Sequence, residues 1–353
     1  MIDFSKLHPV SPVLTGLVST TRPKIADMLI GRSLLPRVQV ENKWYTGTIF
    51  VDTHIGFMGD PQGLERAPGA PMATSGTGDP TTVTYTTKLY SLASNPIPLE
   101  NIERSQLPEN LGDREALAVQ NKLAIAEEIR IATLIFTAAN WTSTVACTAI
   151  TNGSTAKFSN AAAGKPLNDI ARAIEMFSIQ AHGALPTDIV VGRQVALDLA
   201  VHPEIRGLYL VTSGAGGVSR PVNEAALKEL FLDTFGVKLH VGKLRYNTAA
   251  LGQAASDAYA WTDSMWIGCL SDPNARTNGP LVYSDQTAAV GIDEISNFAP
   301  QGAAAISNLV VPMIAGLEYQ PATLGNSVKA WAQQACCEKV LAADLGFVVT
   351  DCN

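Results

Sequence analysis

The sequence predicts an α+β fold organised around one long helix. Three observations carry that prediction. The stretch Asp113 to Asn140, DREALAVQNKLAIAEEIRIATLIFTAAN, contains no Gly and no Pro and is rich in Ala, Leu, Ile and Glu, good helix formers apart from Ile. Before it, residues 44–95 alternate apolar and polar positions in the manner of a long two-stranded ribbon. After it, from Pro166 onwards, helical and strand patterns alternate.

The helix sets the frame. Asp113 reads as its N-cap, with Arg114 and Glu115 in the first turn. At 1.5 Å per residue it would run roughly 40 Å, about twice the usual length. Its apolar residues form two faces. Leu117, Ile125, Ile129, Ala132, Ile135 and Phe136 share one, and Val119, Leu123 and Leu134 lie on another. Lys122, Glu127 and Arg130 separate them. Such a helix is held between two layers, or has a second subunit on one side.

Composition narrows the function classes. The 353 residues suffice for one large or two medium domains. Charged residues make up only 16% against 46% hydrophobic, where about a quarter charged is usual. A surface so poor in charge is expected to be covered by partners. The net charge of −7 argues against a dedicated nucleic-acid binder. No apolar run approaches membrane-spanning length. The start, MIDFSKLHPVSPVLTG, lacks the basic and apolar regions of a signal peptide. Cys147, Cys269, Cys336, Cys337 and Cys352 show no CxxC spacing and read as reduced structural thiols.

In chain order, residues 1–43 are irregular because Pro9, Pro12, Pro23 and Pro36 interrupt any long helix, although Lys24 to Leu35 could hold a short one. Six basic against three acidic residues give this segment +3. In the ribbon, Tyr45, Ile49 and Val51 alternate on one limb and Val83, Tyr85 and Leu89 on the other. Between them Gly56 to Pro80 holds six glycines and four prolines, too long for a tight turn and too polar for a core. A two-stranded ribbon is marginal alone, so it lies on its own domain or across another subunit. Asn95-Pro-Ile-Pro breaks the chain ahead of the helix, and a Thr/Ala/Ser-rich strand and loop run from Trp141 to Gly164. Ile170, Ile174, Phe177 and Ala181 then mark an amphipathic helix, 188–192 a buried strand and Arg193 to Ala200 a second helix. Residues 207–220 read as a Gly/Ser-rich loop, Val222 to Phe235 as a helix, and strands follow at 237–242, 258–261 and 265–270. A helical pattern spans Asn326 to Lys339.

No constellation for catalysis stands out, and no catalytic, cofactor-binding or metal residue is assigned. Gly214-Ala-Gly216-Gly217 suggests a dinucleotide loop, but Ser219 stands where the third Gly belongs and Pro221 interrupts the approach to the next helix. G-x-S-x-G, Walker A and HExxH patterns are missing. His8, His54, His182, His202 and His240 are scattered, none at metal-ligand spacing. His202, ahead of Pro203, reads as a helix cap, and His240 as a strand residue facing solvent or an interface. Asp169 and Glu175 face water by helical period. Trp141, Trp261, Trp266 and Trp331 read as core residues by default, with interface anchors as the alternative.

Taken in order, a set of pieces resembles the major capsid protein of tailed bacteriophages. They are Ala138-Ala-Asn-Trp141, Ile170-Ala-Arg-Ala-Ile174, Gly183-Ala-Leu-Pro-Thr-Asp-Ile-Val-Val-Gly-Arg193 and Leu199-Ala-Val-His-Pro-Glu-Ile205. Leu227-Lys-Glu-Leu-Phe231, Gly236-Val-Lys-Leu-His-Val-Gly242, Tyr246-Asn-Thr-Ala and Trp261-Thr-Asp-Ser-Met-Trp266 follow. The resemblance implies the Hong-Kong-ninety-seven-type capsid fold. On that mapping 1–43 is the N-terminal arm, 44–95 the E-loop hairpin, 96–190 the spine helix and peripheral domain, 191–305 the axial domain, and 306–353 the return to the peripheral domain.

The resemblance also implies a role in the virion, assembled in host cytoplasm. Subunits would form hexamers and pentamers of an icosahedral shell around double-stranded DNA, with scaffolding and portal proteins and a possible decoration protein as partners, and no membrane, cofactor or metal. No helical charged preface precedes the arm, so a separate scaffolding protein is expected, and no motif assigns a covalent Lys–Asn crosslink. An encapsulin-like nanocompartment shell and a soluble α/β enzyme are the alternatives. Deleting Gly59 to Pro80 is expected to leave folded protein that assembles poorly; normal closed shells from that deletion would refute the E-loop reading.

Overall fold

The computed structural model describes residues 28–35, 37–39, 46–51, 81–86, 88–95, 97–98, 111–181, 183–213, 222–249, 253–270, 306–310, 314–320, 327–340 and 343–353. The expected loop from Gly56 to Pro80, Gly214–Gly217 and residues 271–305 lie outside them. A short helix α1 (Gly31–Leu34) falls within the expected helical stretch and is followed by β1 (Arg37–Gln39).

The central helix α2 is Leu111–Phe136. It starts before the expected cap, so Asp113 sits in the first turn, where negative charge suits the N-terminus. Its end is closed by the residues that follow. The Asn140 side-chain amide donates to the Leu134 carbonyl, and the Trp141 indole N–H donates to that of Ile135, both at 2.8 Å. Two of the orphan carbonyls of the last turn are thereby satisfied.

On one side of α2 lies a five-stranded sheet. Its strands are β6 (Ser143–Ala146), β7 (Asp188–Gly192), β8 (Lys238–Gly242), β11 (Met265–Gly268) and β15 (Gly346–Thr350), in the order β6-β15-β11-β7-β8. β7 and β8 run parallel, joined by helices α4 (Arg193–Val201), α5 (Pro203–Ser213) and α6 (Glu224–Phe235), because parallel neighbours need a crossover. β11 is antiparallel to both β7 and β15. Every residue of β7 and β11 is buried, which accounts for their unbroken apolar runs. Helix α3 (Pro166–Gln180) packs on β11 and β15. A small ribbon of β9 (Arg245–Asn247) and β10 (Asp257–Tyr259) completes this half.

The other side carries β14 (Ser327–Val340). This 14-residue strand pairs with β12 (Ile306–Val310) and β13 (Ile314–Gln320) along one edge and with β4 (Lys88–Ala93) and β5 (Ile97–Pro98) along the other. β1 adds parallel to β12. The expected helix at 326–339 is therefore wrong. Its buried residues Ala332 and Cys336 are four apart, a spacing that periods of 2 and 3.6 share. Pairing on both edges decides the outcome. The loop expected at 207–220 is also corrected, since α5 runs through Ser213.

The two apolar faces of α2 are both covered, and by its own chain. Ile131, Ala132 and Ile135, with Ile125, Ile129 and Phe136 at the margin, join the main core under the five-stranded sheet. Val119 and Leu123 form a second cluster with Ala332 and Tyr90 of the other sheet. Leu134 packs against the main core rather than with Val119. Trp141, Trp261 and Trp266 are core residues as expected, with Trp141 and Trp266 ring centroids 5.4 Å apart. The expected ribbon is seen in β2 (Thr46–Val51) and β3 (Thr81–Thr86), antiparallel with Ile49 opposite Val83.

None of the five cysteines is in a disulfide, and all but Cys337 are buried. Burial first, and then the carboxylate of Glu338, push the Cys336 thiol up to about 12. A thiol-specific chromogenic reagent is expected to report at most Cys337 rapidly in the native protein and all five thiols after denaturation. Rapid reaction of several native thiols would contradict this packing.

Candidate assembly framework on the long helix

Two charged side chains of α2 tie the layers together. Glu128, 1% exposed, is the first. One carboxylate oxygen accepts from the Ile30 backbone N–H at 3.0 Å and from the Trp261 indole N–H at 2.8 Å. The other accepts from the Gly31 N–H at 2.8 Å. Three donors from two distant parts of the chain thus converge on one group. The segment around α1, the helix and the end of the β9–β10 ribbon meet there. Two glycines make the approach possible. A Cβ on Gly31 would lie 2.7 Å from the Glu128 carboxylate, and one on Gly242 would lie 2.0 Å from the Trp261 ring. Burial raises the Glu128 pKa above the usual carboxylate range, and the three hydrogen bonds oppose that rise.

Arg130 is the second. Its guanidinium donates to Glu338 at 3.1 Å and to the Cys336 sulfur at 3.2 Å, both on β14. It also lies over the Tyr90 ring of β4, 3.7 Å from the centroid, a cation–π contact. This clamp holds α2 to the strand that continues directly from the β2–β3 ribbon. The segment at Ile30 and Gly31 and strand β4 are thus fastened to the same turn of one helix.

Other expectations need correction. Glu127 does not lie on a polar strip; it is fully buried. Asp169 does not face water. It accepts from the Ser154 N–H at 2.6 Å and the Ser154 hydroxyl at 2.5 Å, because the 150–160 loop folds over the first turn of α3. Glu175 is exposed as expected and pairs with Arg172 at 2.7 Å. His202 caps as expected: its Nδ1 accepts from the Glu204 N–H at 3.3 Å at the start of α5. His240 lies on the strand face away from Leu239 and Val241, as expected, with its side chain 27% exposed. Its Nε2 bonds Asp188 on β7 at 2.8 Å, and the Thr187 hydroxyl donates to the same carboxylate. Burial opposes ionisation of Asp188, but the His240 and Thr187 hydrogen bonds outweigh it and hold its pKa below the usual range. His8, His54 and His182 and the Trp331 side chain lie outside the described residues.

Among the described residues no three His, Cys, Asp or Glu side chains converge as metal ligands, and no helix is long and apolar enough to cross a membrane. An open depression of about 390 Å³ is lined by Gln194, Tyr259, Thr262, Asp263 and Asn353. These five residues supply no nucleophile paired with a base.

Two outcomes follow from this geometry. Glu128→Ala strands three N–H donors and is expected to lower stability by about 3 kcal/mol in chemical denaturation. Glu128→Gln, which keeps one acceptor oxygen but turns an amide N–H₂ towards a donor, is expected to recover only part. An unchanged midpoint for Glu128→Ala would contradict the clamp. Asp188 has a folded pKa below its unfolded value, so its contribution is present above the unfolded pKa and lost as pH falls through the folded one. Asp188→Asn is expected to flatten the acid side of the stability–pH curve; an identical acid slope would show the His240 pairing to be without energetic effect.

No family model matches the chain, and no curated protein matches it. Solved structures do. A phage-related protein from Bordetella bronchiseptica RB50 aligns at TM-score 0.64 and 18% identity over 98% of both chains. A structure from Microbacterium phage Oxtober96 aligns at TM-score 0.51 and 9% identity over 91% of this chain and 90% of that one. The capsid of a native GTA particle aligns at 0.47 and 14% identity over 94% and 92%. With its long helix between two sheets, its antiparallel ribbon and its near-complete overlay on the first two, the chain has the Hong-Kong-ninety-seven-type capsid fold.

Proposed function

We propose that this chain is the major capsid protein of a tailed bacteriophage, a structural protein rather than an enzyme. The observation that carries the reading is the fold shared along 98% of both chains with the Bordetella phage-related protein. A likeness of that extent supports one architecture shared along the whole chain. We assign the five-stranded sheet and its helices to the axial domain. The six-stranded sheet and α2 belong to the peripheral domain, the β2–β3 ribbon to the E-loop, and the residues before it to the arm. The five-stranded sheet takes strands from 143–146 and 346–350 as well as from 188–268. The axial assignment therefore reaches beyond the 191–305 span expected from sequence.

Assembly follows from repeated heterologous contacts. Each subunit offers one surface to the next, and the contacts close into rings of six and five. The ribbon lies across an adjacent subunit, and many modest contacts add up to a stable shell. The chain is acidic overall at −7, with +3 on residues 1–43. An acidic shell encloses double-stranded DNA without condensing onto it. Scaffolding and portal proteins are the expected assembly partners, and the virion is the place of action.

Velocity sedimentation with negative-stain imaging tests the reading. Megadalton shells or rings of five and six are expected from the purified protein with scaffold supplied, and nuclease-protected DNA in native particles. A uniform small species under those conditions would overturn the capsid role. Shells filled with protein cargo and free of DNA would point to a nanocompartment instead.

A further inference from the structure

Helices α4 and α6 both turn apolar side chains outward. Leu197 and Val201 on α4 are 50% and 53% exposed, and Leu232 on α6 is 50% exposed. Arg193, Leu197 and Val201 recur every four residues and share one face of α4. Glu229, Leu232 and Asp233 share one face of α6 by the same spacing. The remaining α6 charges are occupied, since Glu224 pairs with Lys228 at 2.9 Å and with Lys243 at 2.7 Å. Arg193, Glu229 and Asp233 are exposed and make no ion pair among the described residues. One apolar face therefore carries an unpaired positive charge, and the other carries two unpaired negative ones.

These faces do not satisfy each other within one chain: Leu197, Val201 and Leu232 stay half exposed, and among the described residues Arg193 pairs with neither Glu229 nor Asp233. Both helices bury their opposite sides, Val195 and Leu199 on α4 and Leu227 and Phe231 on α6, in the same core. Pairing like with like between copies is also disfavoured. An α4-to-α4 contact offers Arg193 no carboxylate on the facing 193/197/201 face, and an α6-to-α6 contact gathers four carboxylates. We infer that α4 of one copy docks on α6 of the next, Leu197 and Val201 covering Leu232 while Arg193 meets Glu229 and Asp233. The arrangement is head-to-tail, so each copy still presents a free α4 or α6 until a ring closes. This assignment rests on the shell reading and names the surface through which the axial domains join.

The test joins crosslinking to charge exchange in the full chain. Assembled Leu197→Cys/Leu232→Cys protein, treated with a short bismaleimide, is expected to give a ladder of covalent multimers up to a closed ring. Wild type and each single-cysteine variant are expected to give none. Arg193→Glu is expected to lower the yield of rings roughly tenfold, and adding Glu229→Arg with Asp233→Arg is expected to restore it. Rescue by the triple variant excludes simple misfolding. Wild-type shells with no ladder, and undiminished ring yield for Arg193→Glu, would overturn this contact and leave the shell reading standing. Wild type that never assembles would overturn both.

Discussion

A single buried carboxylate holds this architecture together. Glu128 sits about two thirds of the way along the long helix with almost no access to water, and it survives there because three N–H groups converge on it. A buried carboxylate without such partners would be strongly disfavoured. With them, it fixes the position of residues 30–31 and of Trp261 relative to one turn of α2. The glycines at 31 and 242 are consequences of that choice, since any side chain would displace the carboxylate or the indole.

The Arg130 clamp repeats the device toward the second sheet. A helix with two apolar faces could have been completed by a neighbouring subunit. Here the same chain supplies both layers, one through the main core and one through Val119, Leu123 and Ala332. Among the described residues both faces of the helix are thus covered, while the segment before β1 joins it through Glu128 and the β2–β3 ribbon connects to it by way of β4. That combination suits a subunit whose reach, rather than whose core, depends on neighbours. Exposed apolar side chains remain where such a subunit would meet others: Ile179 and Leu185 at the end of α3, and Leu197, Val201 and Leu232 on α4 and α6.

Much of this was legible in the sequence, for identifiable reasons. The long helix reads from its helix-forming composition, α3 from a helical period, and β7 and β11 from short unbroken apolar runs; these, with α4 and α6, lie close to their expected places. The ribbon was legible from alternation. Failures occurred where local pattern is degenerate or where distant chain decides. The Ala-rich 327–340 segment satisfies both helical and strand periods, and only its pairing partners select the strand. Asp169 looks solvent-facing until the 150–160 loop closes over it, and the Asp188 partner of His240 lies 52 residues away. Glu128 gave no signal at all. A glutamate on a helix ordinarily marks a wet face, and its partners lie about a hundred residues away on either side.

The central claim is that shell building depends on extended elements rooted in the long helix and resting on other copies. A reconstruction of assembled particles that traces residues 44–95 tests it most directly. The account predicts β4 on its own β14 and the ribbon beyond it lying across the adjacent subunit. A closed shell in which the ribbon turns back onto its own sheets would contradict it.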